Sequence, residues 1–521
     1  MQDLSWWKHA VVYQVYPRSF QDSNGDGIGD LNGIRNRLDY LVELGIDAIW
    51  ISPIYPSPMA DFGYDVADYC GIDPIFGTMQ DFDRLLEDAH RLGLRLILDF
   101  VPNHTSDQHP WFLESRSSRD NPKRGWYIWR DQPNNWQSHF GGSAWEFDGK
   151  SRQYYLHEFL KEQPDLNWRN PAVKAAMFDA LLFWLRKGVD GFRVDVMWLM
   201  IKDDQFRDNP PNPAYTAGQG SRAQYLPIYD ADRPEIHPLV GEMRGVLEEF
   251  RDRVLIGEIY LPIPRLMSYY GQELRGANLP FNFQLLQCAW TPDELARAVR
   301  DYMSALPAGA WPNWVLGNHD KSRIASRLGQ PKARAAALLL FSLPGSLTIY
   351  NGEELGMQDV LIPAEQVQDP AEKRQPGIGM GRDPERTPIP WDSSPHCGFT
   401  SGTPWLPIGD FNRALNVKSS KMDSTSMLAL YQKLLRLRHQ QPVLVSGSLT
   451  EMSAADGVLQ FLRSDARNRF RICLNLADGL REIPCEEGVV IASTNPGREG
   501  QAVPRSVTLD PAEGLIIKAT Q

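Results

Sequence analysis

The sequence predicts an α/β protein, a (β/α)8 TIM barrel with a subdomain inserted after the third strand and an all-β domain at its C-terminal end. Short runs rich in β-branched residues alternate with longer amphipathic segments, which indicates a parallel sheet. About eight such runs occur, and acidic, arginine and histidine residues collect where several of them end, as in barrel active sites. The runs cover residues 11–16, 48–51, 94–101, 191–194, 254–256, 279–283, 314–316 and 347–350.

The chain divides into three parts. At 521 residues it is too long for one ordinary domain. Residues 1–104 and 172–442 contain the strand runs and are assigned to the barrel. Residues 105–171 are rich in Trp, Asn, Gly and Ser, and this stretch is too long for an ordinary connection, so we expect an inserted subdomain B over the site. Residues 443–521, with alternating runs at 459–463 and 470–474, predict a C-terminal β-sandwich domain.

The overall composition restricts the partners and the compartment. A net charge of -11 argues against a nucleic acid or an anionic membrane as partner. The five cysteines are odd in number and lack CxxC spacing, so neither a disulfide framework nor a zinc site is indicated. The beginning of the chain lacks the basic and apolar regions of a signal peptide, and no later apolar run is long enough for a membrane span. We therefore expect a cytoplasmic protein, with its oligomeric state left open.

Two carboxyl groups stand where strands end. Arg193 and Asp195 are two residues apart, so a strand places both side chains on the same side. Arginine beside a carboxylate favours its charged form, and an ionised carboxylate can attack an electrophilic carbon. Glu258 follows the fifth run, and a carboxyl at the edge of an apolar pocket tends to keep its proton, as a general acid requires. Together they are the two carboxyls that a glycosidase needs.

Glu242 is a second candidate for the acid, because it also follows a glycine. Its neighbours Val246, Leu247 and Phe250 are spaced along one face of an amphipathic helix. We therefore interpret Glu242 as a solvated helix residue.

Four motifs, in their order along the chain, resemble the conserved regions of glycoside hydrolase family 13. A fifth, at residues 163–167, resembles the additional motif of its oligo-1,6-glucosidase and α-glucosidase branch, and residues 6–20 are similar to the beginning of that branch. The resemblance extends over the whole barrel and is weakest near the C-terminus. The four motifs are Asp99-Phe-Val-Pro-Asn-His104, Gly191-Phe-Arg-Val-Asp195, Gly257-Glu258-Ile-Tyr260 and Asn318-His319-Asp320.

The resemblance implies a retaining, exo-acting α-glucosidase. Such an enzyme releases glucose from the non-reducing end of short α-glucosides, of the maltose or isomaltose type, through a covalent glucosyl-enzyme intermediate. The resemblance assigns Asp195 as the nucleophile, Glu258 as the acid and Asp320 as a third carboxylate that binds sugar hydroxyls. The residues that it places around the substrate are Asp61, Tyr64, His104, Arg193, His319 and Arg386.

Asp61 and Arg386 match positions that hold the far end of the terminal glucose in this branch. An ion pair there would close the sugar pocket and enforce exo action. A second interpretation is that Arg386 only marks a turn before a Thr-Pro pair. Tyr64 would offer an aromatic face to the sugar or simply pack in the core. His104 and His319 likewise are either sugar ligands or structural histidines.

Val196 directly follows the predicted nucleophile, at a position similar to a specificity switch in this family. Valine there favours α-1,6 links, and a small Ala or Thr favours α-1,4 links. Residues 197–200 depart from the oligo-1,6-glucosidase pattern, which usually has Asn two residues after the valine. The sequence therefore leaves the bond preference open.

Oxygen-bearing side chains recur at every second position around glycines in residues 22–30, as in a Ca²⁺ loop. The twelfth position is Gly33 rather than the glutamate of an EF-hand, so Asp30 would complete the coordination. The family branch binds a structural Ca²⁺ or Mg²⁺ in such a loop, and no organic cofactor is expected. The alternative is an Asx-rich turn without an ion. The predicted ligands are Asp22, Asn24, Asp26, Asp30 and the carbonyl of Ile28.

Two other functions share these features. A glucosyl-transferring or isomerising relative, of the transglucosidase, trehalose synthase or sucrose isomerase type, has the same catalytic residues and differs in the acceptor of the glucosyl group. The segment Lys321-Ser-Arg323 favours the hydrolase. A non-catalytic binding module, as in amino-acid transporter heavy chains, would carry a membrane span and lack the catalytic carboxylates, and this sequence predicts the opposite on both points.

Overall fold

The computed structural model describes residues 5–216 and 218–520 and confirms the predicted barrel. Eight parallel strands lie in sequence order, and the first pairs with the eighth, so ladder hydrogen bonds join all neighbours except the sixth and seventh strands of the described chain. A side chain joins the sixth and seventh strands, because Asn313 donates to the carbonyl of Pro280 over 2.7 Å and accepts from the amide of Asn282 over 3.0 Å. The strands are Val11–Val15, Ala48–Ile51, Arg95–Phe100, Gly191–Val194, Val254–Gly257, Leu279–Pro280, Asn313–Val315 and Ser346–Tyr350.

The predicted strand runs coincide with the eight strands. The largest difference is at the sixth, which we predict over 279–283 and which ends at Pro280. Phe281 and Phe283 leave the ladder and fill the barrel interior together with residues such as Trp50 and Ile256. The outward-facing strand residues pack against the surrounding helices in a second, larger core.

Helices surround the barrel and bury one face against it. Thr78, Asn170, Thr291 and Ser426 each start a helix by accepting a main-chain N–H of its first turn. Over the described ranges, every helix falls short of the length and apolar character that a membrane span requires. The barrel helices are Leu31–Arg35, Leu38–Leu44, Met79–Arg91, Pro171–Lys187, Ile236–Glu248, Ile263–Ser268, Gln284–Gln287, Pro292–Ala305, Ile324–Leu328, Gln330–Ser342 and Met427–Gln440.

Two long connections lie at the C-terminal ends of the strands. The one after the third strand contains the helix Pro110–Ser115 and a three-stranded antiparallel sheet. It is tied to the barrel where the amide of Leu166 donates to the carbonyl of Asn103 over 2.9 Å. The other follows the eighth strand. The sheet strands of the first connection are Trp129–Arg130, Trp145–Asp148 and Gln153–Leu156, and the helices of the second are Pro370–Arg374, Asp410–Ala414 and Val417–Met422.

After the short helix Pro442–Ser446 the chain consists of β-strands. A six-stranded antiparallel sheet and a two-stranded sheet share an apolar layer, to which Cys473 and Ile517 contribute from the larger sheet and Ile483 from the smaller. The larger sheet contains Ser448–Ala455, Val458–Ser464, Arg469–Asn475, Gly514–Ala519, Gly488–Ser493 and Ala502–Val503, and the smaller contains Arg481–Pro484 and Ser506–Leu509.

Two buried arginines lie at the junction of this β-region and the barrel, Arg463 in the β-region and Arg438 on the barrel helix Met427–Gln440. Arg463 donates to carbonyls at the end of the helix Pro442–Ser446, those of Val443 and Leu444, over 2.8 Å each, and also to Ser342 of the barrel. Arg438 donates to carbonyls of the same barrel segment, and burial lowers the pKa of its guanidinium to about 9. The carbonyl ends of helices carry partial negative charge, so they stabilise these buried cations.

We expect Arg463→Met to lower the free energy of unfolding by about 3 kcal/mol or more, because five main-chain carbonyls would each lose one donor. Urea unfolding followed by circular dichroism measures the change. The exposed Arg505→Met, in the same β-region, is the control and should stay within about 0.5 kcal/mol of the wild type. Equal stability of the two variants would contradict the linking role of Arg463.

Candidate active site

The alternation of side chains along the strands directs four ionisable groups into the C-terminal end of the barrel. In the fourth strand the apolar side chains pack outward, so Arg193 and Asp195 face inward. In the fifth strand alternate residues belong to the inner core, and Glu258 takes the next inward position. Asp99 lies opposite Arg193 in the ladder between the third and fourth strands. The strand register alone therefore brings three carboxyls to one guanidinium.

Arg193 binds all three carboxyl groups. Its Nη1 donates to Asp195 Oδ1 over 2.8 Å and to Asp99 Oδ1 over 3.0 Å, and its Nη2 lies 2.7 Å from Glu258 Oε2. The guanidinium carbon also lies 4.9 Å from the ring centroid of Trp50. All these side chains are buried. One cation therefore fixes the predicted nucleophile and the predicted acid relative to each other.

The pKa of Asp195 depends on more groups than the sequence-based prediction includes, in which Arg193 alone keeps the carboxyl ionised. Burial, and then the adjacent Glu258, raise the pKa of Asp195, although Arg193 opposes both. Burial also raises the pKa of Asp99 to about 6. Three buried carboxyls around one guanidinium cannot all be ionised at low cost, so this arrangement favours a proton shared within the group.

Asp320, after the seventh strand, is held in its charged form. Its carboxylate accepts from Arg386 Nη2 over 2.7 Å, and Arg386 Nε donates to the carbonyl of His319 over 2.7 Å. Although burial opposes the change, His319, Arg386 and Arg382 lower the pKa of Asp320. A carboxylate so held is a strong acceptor for hydroxyl groups.

The arginine that reaches Asp61 is Arg382, which corrects the predicted pairing of Asp61 with Arg386. Arg382 Nη2 donates to Asp61 over 2.6 Å, its Nε donates to Asp369 over 2.6 Å, and its Nη1 donates to Asp320 over 3.4 Å. The guanidinium of Arg386 is directed to Asp320 instead. The two arginines are four residues apart in an irregular connection, so the fold, and not the spacing, decides which one meets Asp61.

Tyr64 and two histidines form the wall beside Asp61. The Tyr64 ring stacks on His319 with centroids 5.3 Å apart and an interplanar angle of 5°, and its hydroxyl lies 2.7 Å from His319 Nε2. His104 Nε2 lies 3.1 Å from the amide nitrogen of Gln163, which also donates to Asp61 over 3.2 Å. Burial lowers the pKa of His104 to about 4 and lowers the pKa of His319 as well, so both imidazoles are neutral hydrogen-bonding groups near pH 7.

One pocket of about 860 Å³ lies at the C-terminal end of the barrel, and Arg193 and Arg386 are not among its lining residues, although both bind carboxyls that are. The residues described above that line it are Asp61, Tyr64, His104, Asp195, Glu258, His319, Asp320 and Arg382. Glu242 is not among them. It lies on the helix Ile236–Glu248 and pairs with Lys174 at 2.5 Å, with about half of its side chain exposed, which agrees with its interpretation as a solvated residue.

Several pocket residues have no sequence signal of their own, because they come from separate loops and belong to no motif. Arg382 is the most important of them. It lies in the same segment as the predicted Arg386, Gly381-Arg-Asp-Pro-Glu-Arg386, and the presence of two arginines there could have drawn attention to it. Further lining residues of this kind are His139, Phe140, Phe159 and Met380.

The loop of residues 22–30 is a series of tight turns in which side-chain oxygens accept main-chain N–H groups. Asp22 accepts from the amide of Asn24 over 2.8 Å, Asn24 from Asp26 over 2.9 Å, and Asp26 from Ile28 over 2.8 Å, while Asp30 accepts an N–H of the next helix. The predicted ligands thus offer only oxygen, the donor preferred by hard divalent cations. Throughout residues 5–216 and 218–520, no three His, Cys, Asp or Glu side chains are grouped to hold a metal ion.

Known proteins match most of this chain. Residues 14–447 match the model of the α-amylase catalytic domain. A probable alpha-glucosidase of Rhizobium meliloti (strain 1021) is 43% identical over 506 residues, which cover 92% of each chain. An oligo-1,6-glucosidase of Parageobacillus thermoglucosidasius is 41% identical over 485 residues, which cover 85% of each chain.

Two solved structures share the fold over nearly the full length. The alpha-glucosyl transfer enzyme XgtA has a TM-score of 0.94 and 39% identity, and the match covers 99% of this chain and 100% of that chain. The isomaltulose synthase SmuA from Protaminobacter rubrum has a TM-score of 0.91 and 35% identity, with the same coverage. The family match and the identity with these relatives agree with the arrangement of the barrel carboxyls. The chain is therefore a glycoside hydrolase and belongs to glycoside hydrolase family 13, in its branch of α-glucosidases and oligo-1,6-glucosidases.

Proposed function

We propose that this protein is a retaining, exo-acting α-glucosidase that releases glucose from the non-reducing end of short α-glucosides. The observation that carries the proposal is the joint binding of Asp195 and Glu258 by Arg193, at 2.8 and 2.7 Å. Two carboxyls held side by side in a pocket are what a double displacement at an anomeric carbon requires. The names of the two relatives in the same branch support a glucosidase activity.

In the first step Asp195 attacks the anomeric carbon while Glu258 protonates the departing oxygen. Arg193 occupies Oδ1 of Asp195, so Oδ2 is the atom that forms the bond to carbon. As the bond between the anomeric carbon and the glycosidic oxygen breaks, its electron pair stays on that oxygen, which takes the proton from Glu258. Burial of three carboxyls around one guanidinium favours a proton within the group, and the proposal places that proton on Glu258.

In the second step water replaces Asp195. Glu258, now ionised, takes a proton from the water as its oxygen attacks the anomeric carbon, and the electron pair of the ester bond returns to Asp195. Two inversions leave the released glucose in the α-configuration. Asp320, held ionised by its arginine partners, accepts hydrogen bonds from sugar hydroxyls and stabilises the positive charge that develops on the ring.

The ion pair of Asp61 and Arg382 supports exo action. Both side chains are largely buried, and the guanidinium also binds Asp369 and Asp320. An immobile pair at the end of the pocket binds the hydroxyls of a terminal glucose by charge-assisted hydrogen bonds and leaves no space for a further sugar.

A second candidate function is transfer of the glucosyl group to a sugar, with or without isomerisation. It is favoured by the two structures with TM-scores of 0.94 and 0.91, which are an alpha-glucosyl transfer enzyme and an isomaltulose synthase. Both reactions proceed through the same glucosyl-enzyme intermediate, and a sugar hydroxyl then takes the place of water.

The first prediction of the glucosidase proposal concerns the products. Incubation with maltose, isomaltose, sucrose and trehalose should release α-glucose first, because two displacements restore the configuration. Proton NMR of the anomeric region follows each product with time. Initial release of β-glucose would refute the retaining mechanism, and rapid cleavage of internal bonds in starch would refute exo action. Accumulation of isomaltulose or of longer oligosaccharides as the main product would favour the second candidate.

Asp195→Asn is the matched variant for the same assay, because it keeps the size of the side chain and removes the nucleophile. We expect kcat to fall by about 10³-fold or more. Asp83→Asn, on the surface of a barrel helix, should leave kcat unchanged. Near-normal turnover by Asp195→Asn would refute the assignment of the nucleophile.

The second prediction compares Arg382 with another arginine of the connection after the eighth strand. Arg382→Met should lower kcat/KM for maltose by about 100-fold or more, because Asp61 would lose its charged partner and the end of the pocket its donor. Arg374→Met is the control, since its side chain in the same connection donates to the carbonyl of Gly141, and it should change kcat/KM less than about threefold. Wild-type kinetics in Arg382→Met would show that Arg382 does not hold the sugar.

We also propose that residues 22–30 bind a structural Ca²⁺ or Mg²⁺ through the oxygens of Asp22, Asn24, Asp26, Asp30 and the Ile28 carbonyl. The support is the all-oxygen donor set, which hard divalent cations prefer, together with the consecutive tight turns through residues 22–28.

The third prediction is that millimolar Ca²⁺ or Mg²⁺ raises the unfolding temperature of chelator-treated protein by about 2 °C or more, because an ion that binds only the folded loop stabilises it. Differential scanning calorimetry measures this shift. Asp26→Ala should abolish it, whereas Asp392→Ala, in an exposed turn of the same type, should retain it. No shift in the wild-type protein with either ion would contradict the cation site.

A further inference from the structure

Val196 has a backbone conformation that valine rarely adopts. Its φ of 36° and ψ of 44° lie in the left-handed region, which is unfavourable for a β-branched residue. The residue directly follows Asp195 and belongs to the wall of the pocket. Strain of this kind persists only where the surrounding structure determines it, so its location beside the predicted nucleophile points to a role.

The chain turns sharply at Val196, and contacts with neighbouring residues hold this turn. The carbonyl of Val196 accepts from the amide of Leu199 over 2.8 Å, and the 3-10 turn Met197–Leu199 is buried. Met197 packs closely against Gly257, the residue before Glu258, where an added Cβ would come within 2.8 Å of the Met197 sulfur. The turn at Val196 and the end of the fifth strand are thus packed together.

The consequence is a hydrogen bond to the predicted acid. The amide of Val196 donates to Glu258 Oε2 over 2.9 Å. The same oxygen lies 2.7 Å from Nη2 of Arg193. A protonated carboxyl oxygen acts as a donor, so an oxygen that faces two N–H donors is the one without the proton.

We propose that the main-chain amide of Val196 positions the general acid, and that the proton delivered to the leaving group resides on Glu258 Oε1. This inference rests on the proposed glucosidase function and extends it. Val196 is a positioning residue, because it acts through Glu258 and not on the substrate itself. In the first step the Oε1–H bond breaks and its proton joins the glycosidic oxygen, while Oε2 stays bound to Val196 and Arg193. In the second step Oε1 takes a proton from water, so the carboxyl returns to its starting state.

Replacement of the Val196 amide by an ester tests the proposal. Incorporation of α-hydroxyisovaleric acid at position 196 by nonsense suppression removes the N–H and keeps the side chain. Maltose has a poor leaving group and needs the acid, whereas 2,4-dinitrophenyl α-glucoside leaves without protonation. We expect kcat/KM for maltose to fall by about tenfold or more and that for the dinitrophenyl glucoside to change by less than about threefold.

Two controls make the result specific to the amide. Valine inserted by the same suppression method should reproduce wild-type kinetics. Val196→Gly keeps the N–H and permits the left-handed backbone, so it should preserve the wild-type ratio of the two kcat/KM values. Equal losses on both substrates in the ester variant, or a loss confined to maltose in Val196→Gly, would overturn the proposal. Failure of the wild-type enzyme to cleave either α-glucoside would refute the glucosidase function instead, so the two failures are distinguishable.

Discussion

The rest of the site depends on the ion pairs of the buried Arg193 guanidinium. A cation at the end of the barrel is costly unless acids surround it, and strand alternation directs Asp99, Asp195 and Glu258 into the same space. Conversely, three buried carboxylates would exceed the charge of one guanidinium, which favours a proton within the group. The proposed reaction needs one ionised and one protonated carboxyl, and this balance of charge supports it.

A second guanidinium, that of Arg382, organises the opposite end of the pocket in a different way. Its partners Asp61, Asp320 and Asp369 follow the second, seventh and eighth strands, and Arg382 itself lies in a long connection. Arg193, in contrast, belongs to a strand and inherits its position from the sheet. In the proposed mechanism the bond-breaking groups are therefore fixed by the barrel, while the groups that recognise the sugar depend on how the loops pack.

This difference explains how much the sequence could predict. The barrel strands and the carboxyls at their ends follow from local patterns, since the period of a strand places Arg193 and Asp195 on one side. The partner of Asp61 could not be predicted, because Arg382 and Arg386 are both close enough in sequence and only loop packing separates them. The pKa of Asp195 could not be predicted from the sequence either. It depends on Glu258, which another strand supplies, and not only on the neighbour two residues away.

The difference between strand-borne carboxyls and loop residues also bears on whether water or a sugar accepts the glucosyl group. Both routes use the Arg193 group identically, because they share the glucosyl-enzyme intermediate. The two routes must then differ outside this group. Among the other pocket residues, His139 and Phe159 come from the connection after the third strand, Trp198 from the one after the fourth and Met380 from the one after the eighth. Side chains on such loops can change without disturbing the strand-borne carboxyls. A common barrel can therefore serve both a glucosidase and the transferase and isomaltulose synthase that share its fold with TM-scores above 0.9.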